Sequence, residues 1–129
     1  MPDNVVWDLH TEEMLFYIEC KGPDKYPESE VNHGDLVAEY LNPARNETDK
    51  NQSPVLQIYC YMVDDGMKYG ILTTGIHTWF VYRTVDNDGL GTLHVSQSFK
   101  VDQQTPSLGQ AMAIFIHTVR NDEAALNVP

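Results

Sequence analysis

An α/β domain is the fold class the sequence predicts, on three observations. The chain has 129 residues, a length suited to one domain rather than two. Its 42% hydrophobic and 21% charged content is enough to build a buried core. Runs of β-branched and aromatic residues of strand length alternate with two stretches of helical apolar spacing, which is the pattern of mixed secondary structure. The expected order is strand, strand, polar insertion, helix, strand, strand, strand, helix.

VVWDL at residues 5–9 and EEMLFYIECK at 12–21 read as two strands joined through HTEE, and Gly22-Pro23 ends the second. Residues 22–50 are polar and contain Pro23, Pro27 and Pro43, with one short helical stretch around 35–41. A connection of that length is either an insertion or a functional flap. Ser53-Pro54 opens a helix, since serine caps and proline fits the first turn. Val55, Ile58, Tyr59 and Met62 form its apolar face, and Gly66 terminates it. KYGILTTG (68–75) and HTWFVYRTV (77–85) follow as strands around Gly75. DNDGLG (86–91) is a turn before a strand over 92–101. Thr105-Pro106-Ser107 starts the last helix, where Leu108, Met112, Phe115 and Val119 make a core-facing stripe.

The net charge is −11, from 19 acidic and 8 basic residues. That excludes a generally basic nucleic-acid binder, but it leaves room for a nuclease whose pocket needs acids. Residues 1–50 carry 12 acidic and 4 basic residues, against 7 and 4 in residues 51–129. A cation or a basic partner is therefore expected at the first half. Two cysteines, Cys20 and Cys60, make neither a disulfide scaffold nor a zinc cluster. No stretch is long and apolar enough to span a membrane, and the expectation is a reduced intracellular protein.

The first two strands hold the informative residues. Strand parity puts Glu19 and Lys21 on one face with Tyr17, and Phe16, Ile18 and Cys20 on the other. With a turn around residues 11–12, Asp3 lies opposite residues 19–20 and its carboxylate comes beside Glu19. Asp8 pairs nearer the turn, too far to share an ion at ~3.3 Å rise per residue. Asp3, Glu19 and an intervening backbone carbonyl, that of Cys20, form an oxygen-rich site suited to Mg²⁺ or Mn²⁺. Lys21 beside them can orient a water or stabilise charge on a phosphate.

Pro2-Asp3, the hairpin and Glu19-Cys20-Lys21 resemble the motif of the PD-(D/E)xK nuclease superfamily. Gln57-Ile58-Tyr59-Cys60-Tyr61 is similar to the Gln-x-x-x-Tyr helix motif of its RecB-like branch. The residues from Gln57 to Phe80 look like nuclease-like domains found beside kinase-like domains in fungal proteins and in secreted effectors. The resemblance covers residues 2–21 and 54–85, and the final helix loosely. It implies a restriction-endonuclease-like core, a mixed sheet flanked by helices, and Mg²⁺- or Mn²⁺-dependent hydrolysis of nucleic acid, DNA foremost. It also implies that Gln57 and Tyr61, on one helical face, border the active site. The family core begins with a helix and strand before the Pro-Asp strand, so that element is expected to be missing, supplied from elsewhere in this chain, or supplied by another copy. The alternative reading is a catalytically inactive module of the same fold, an effector binding a basic protein surface, whether nuclear or host-translocated.

Other residues carry less. His10, His33, His77, His94 and His117 have no metal-binding spacing; His33 and Asp35 border the site only if the insertion folds over it. Cys20, opposite Glu19, is expected to be buried. Trp79, Phe80 and Tyr82 are expected in core or dimer packing. There is no phosphate-binding glycine loop and no nucleophile elbow. A sheet lacking its first elements exposes an edge, so a homodimer is expected through that edge or strand 77–85.

Overall fold

The computed structural model describes residues 4–8, 13–20 and 54–122. Their order is β1 (Asn4–Asp8), β2 (Glu13–Cys20), α1 (Pro54–Asp64), β3 (Tyr69–Thr73), β4 (His77–Val85), β5 (Gly91–Val95), β6 (Phe99–Lys100) and α2 (Leu108–Asn121). The strands form one sheet ordered β1-β2-β3-β4-β5, with β6 also paired to β4. β2 and β3 run parallel and every other pair is antiparallel, so this is a mixed sheet in an α/β fold. The insertion at 22–50, the helical stretch within it, the Ser53 cap and the tail after residue 122 lie outside the described residues.

Two irregularities depart from the strand reading. A regular hairpin turning around residues 11–12 would put residue 4 opposite residue 19. The observed pairs are Asn4↔Ile18 and Val6↔Phe16, then Trp7↔Met14, so Leu15 is an extra residue in β2. The bulge lets the consecutive Leu15 and Phe16 pack into the same apolar cluster. The expected single strand over 92–101 is split. Val95 pairs with Val81 and Phe99 with Thr78, so three residues, 96–98, face two on β4. Ser96 bridges the gap: its Oγ accepts from the Phe80 N–H at 2.9 Å and its own N–H donates to the Phe80 carbonyl at 2.9 Å.

Side-chain alternation divides the core between the two faces. Phe16, Tyr69 and Ile71 pack with Phe115 and Val119 of α2. Phe115 is the hub, with ring centroids 5.1 Å from Phe16, 5.8 Å from Tyr69 and 4.9 Å from Phe80, the first two edge-to-face. On the other face Tyr17, Met67 and Val81 pack with Ile58 and Met62 of α1, and Leu72 and Trp79 pack against Val55. β4 is internal and Trp79 is wholly buried. Any second copy pairing with the described sheet would therefore have to use an edge, at β1 or at β5 and β6.

The helix ends are closed from outside. Met67 N–H donates to Met62 O at 2.9 Å and Gly66 N–H to Val63 O at 3.2 Å, with Gly66 at φ 65°, a left-handed C-terminal stop. α1 has no basic residue in its last turn. Arg83, reaching from β4 and 1% exposed, donates from Nη2 to Met62 O at 3.5 Å and from Nε to Met67 O at 3.4 Å, placing a cation at the helix's negative end. α2 begins with a capping box between Ser107 and Gln110, as the Thr-Pro-Ser signal predicts. It ends at Asp122, whose carboxylate accepts from Lys68 Nζ at 2.8 Å and from the Tyr69 hydroxyl at 2.6 Å.

Two outcomes follow from this packing. A Cβ on Gly70 would lie 2.9 Å from Ile58 Cδ1 and 3.2 Å from Val81 Cγ2, so Gly70→Ala should lower unfolding free energy by about 1–3 kcal/mol in urea melts. Burial, and then the Asp122 carboxylate, hold the Tyr69 hydroxyl well above the ordinary tyrosine value of about 10. The folded state keeps a proton that the unfolded chain releases, so this contribution is whole below about pH 10 and lost as pH climbs toward the raised folded value. Melting temperatures of the parent and Tyr69→Phe should differ at neutral pH and converge above pH ~10.

Candidate functional site

The C-terminal ends of parallel strands are where open α/β sheets place their ligands, because loops and helix termini converge there. β2 and β3 end side by side, with Glu19↔Leu72 and Cys20↔Thr73 in register. Glu19 is the buried carboxylate at this end, 2% exposed. Its neighbour on the same face, Tyr17, belongs to the α1-side core, so Glu19 points toward the layer of α1, as strand parity predicts. It is not a solvent-facing residue of an ordinary amphipathic hairpin.

The core contacts set the direction of α1. Val55, in its first turn, packs at the level of Leu72 and Trp79. Ile58 and Met62 pack further back, at the level of Gly70 and Tyr17. The helix therefore runs opposite to β2, and its N-terminal half lies toward Glu19. Tyr61 meets Tyr17 edge-on, centroids 6.4 Å apart at 74°. Gln57 is half-buried one turn earlier, toward the Glu19 end. Of the residues expected to form the site, Glu19, Gln57 and Tyr61 thus share one face of the sheet. Asp3 and Lys21 lie outside the described residues, as do His10, His33 and Asp35; the described hairpin register ends at Asn4↔Ile18.

Cys20 departs from its expected place. It is exposed, because the α2-side core is centred on Phe16, Tyr69 and Ile71 and does not extend to the last residue of β2.

His77 and Trp79 join Glu19 at this end of the sheet, an association that spacing along the chain does not show. Trp79 pairs with Leu72, which pairs with Glu19, so the three form a row across the α1 face. His77 stacks on Trp79 with centroids 5.7 Å apart at 26° and lies at the same end of the sheet. The period-2 spacing of His77 and Trp79 was visible in the sequence; their alignment with Glu19 depends on the strand order.

Electrostatics restrict what this face can attract. Among the described cations, Arg83 is buried against α1 and Lys68 is committed to Asp122. Lys100 and Arg120 are the exposed ones, so the described part offers fewer phosphate contacts than its basic residues suggest. Among the described residues no group of three or more His, Cys, Asp or Glu side chains is placed to hold a metal. No described helix is long and apolar enough to cross a membrane. Comparison with protein-family models, with curated proteins and with solved structures finds no match.

Proposed function

We propose that the chain has a restriction-endonuclease-like fold and hydrolyses phosphodiester bonds of nucleic acid, DNA foremost, with Mg²⁺ or Mn²⁺. The observation that carries this reading is Glu19. It is a carboxylate 2% exposed at the end of β2, under the helix that bears Gln57 and Tyr61. A hairpin that carries Glu19 is followed by the helix that bears Gln57 and Tyr61, the order of the motifs that the sequence resembles, and this supports the reading. A carboxylate at the C-terminal end of a parallel strand pair is of the right chemistry and in the right place to serve as one oxygen ligand of a hard cation.

The donor chemistry fits a hard divalent ion: Glu19 and Asp3 would supply carboxylate oxygens and Cys20 its backbone carbonyl. When bound, such an ion polarises a phosphoryl oxygen and acidifies a coordinated water. Lys21 would hold the attacking water or balance charge on the phosphate. Gln57 and Tyr61 would border the scissile nucleotide, with the Tyr61 ring held in place by Tyr17.

A second reading rests on charge. A net −11, with Arg83 buried and Lys68 paired to Asp122, opposes the approach of a phosphate backbone. It suits an inactive module of the same fold that binds a basic protein surface.

Calorimetric titration with Mn²⁺ beside a plasmid-nicking assay separates the two. The parent chain should bind Mn²⁺ and nick DNA. Glu19→Gln should lose the binding heat and at least about 100-fold of the rate, a loss of the size expected when transition-state charge stabilisation is removed. Lys21→Ala should keep the metal and lose comparable activity. Metal binding without cleavage of DNA or RNA would favour the interaction module, and absence of both would end the nuclease reading.

A further inference from the structure

The sheet face opposite Glu19 holds a feature that hydrolysis does not use. A helix about 10 Å across covers roughly two strands at ~4.8 Å spacing, and α2 is spent on β2, β3 and part of β4 through Phe115 and Val119. Beyond it a cleft of about 560 Å³ opens between α2 and strands β4, β5 and β6. That volume lies within the range of pockets that enclose small organic ligands.

Aromatic rings wall the cleft. Tyr82 lies parallel to His94, with centroids 4.3 Å apart at 7°, and Thr84 Oγ1, 3.0 Å from His94 Nε2, fixes the imidazole. Phe99 stands edge-on to Phe80 at 5.5 Å and 70°. The split between β5 and β6 that shapes the floor is pinned by Ser96, whose Oγ accepts from Phe80 N–H and donates to the Gln97 carbonyl at 2.7 Å. On the helix side Ala111 leaves room that a larger side chain would fill, and Ile114, 67% exposed, forms the rim.

The lining is also uncharged. None of its residues is Asp, Glu, Lys or Arg, in a chain whose net charge is −11. A charged ligand would lose water here and gain no counter-charge, and a second copy would carry the same net charge of −11.

We infer that this cleft binds a neutral, flat, ring-bearing organic molecule. One ring face lies against the Tyr82–His94 pair, its edge meets Phe99 and Ala111, and a single polar group is met by the Tyr82 hydroxyl or the His94 ring. The site is independent of the hydrolytic reading, since it lies on the other side of the sheet.

The test is fluorescence titration of the full chain with N-phenyl-1-naphthylamine, a neutral probe, and with 8-anilinonaphthalene-1-sulfonate, which adds a negative charge to similar rings. The neutral probe should bind saturably, one per chain, and at least tenfold more tightly than the sulfonate. Ala111→Phe should weaken it at least tenfold by filling the cleft. Ile114→Lys, at an exposed position that does not threaten folding, should weaken it several-fold. Glu19→Gln should leave it unchanged. The inference is overturned by absence of saturable binding, by equal binding of the two probes, or by unchanged affinity in both cleft variants. It is also overturned if sedimentation velocity shows a dimer that the probe dissociates, for the cleft would then be an interface between copies.

Discussion

Two neighbouring strands that run the same way cannot be joined by a tight turn, and the rest of this structure depends on that constraint at β2 and β3. The chain must leave the end of β2, cross one face and return to the start of β3, and α1 is part of that return. The crossover fixes which face α1 covers and makes it run opposite to β2. It therefore decides what lies over each residue of β2: Tyr61 over Tyr17, and the N-terminal half of the helix toward Glu19. A carboxylate that would be solvent-facing in an isolated hairpin becomes a buried one. The close approach needed for this packing is visible at Gly70, where no Cβ fits without displacing Ile58, Val81 or Met62.

The opposite face obeys a simpler geometrical limit. One helix is narrower than the sheet it covers, so α2 must choose which strands to bury. Phe115 decides the choice by contacting Phe16, Tyr69 and Phe80 together, and Asp122 anchors the far end through Lys68 and Tyr69. The aromatic residues of β4, β5 and β6 beyond that contact are left lining a cleft instead of a core. The extra residue between β5 and β6 belongs to the same arrangement, since it bends the edge away from regular pairing while Ser96 keeps the Phe80 backbone groups satisfied.

Charge is distributed with the same economy. Arg83 is spent on the carbonyl end of α1 and Lys68 on the end of α2, both internal duties that compensate helix dipoles or hold termini. Fewer positive groups remain on the surface of an already acidic chain. On the proposed reading a ligand at the Glu19 end is cationic or arrives with a cation, whereas the opposite cleft, uncharged throughout its lining, suits a neutral one.

Much of this was legible in the sequence because it is local. Alternation from Phe16 to Glu19 separates the two faces, the Leu108–Met112–Phe115–Val119 stripe names the buried side of α2, and Gly66, Gly75 and the Asp86–Gly89 turn mark the breaks through backbone conformations that side chains and glycine dictate. The Pro-Asp and Glu-x-Lys spacing singled out Glu19, although the placement of Asp3 and Lys21 rests on sequence alone. Tertiary structure decided what depends on distant partners. The bulge at Leu15 and the split after Val95 are set by how each strand registers against its partner. Cys20 is exposed because the α2-side core stops short of it, and Arg83 is buried because α1 ends beside it. Glu19, Leu72 and Trp79 fall into one row only once β2, β3 and β4 are ordered side by side. Spacing along a chain encodes the face a residue takes, but which residues meet across that face is set by strand order and register, and these depend on the packing of the whole sheet.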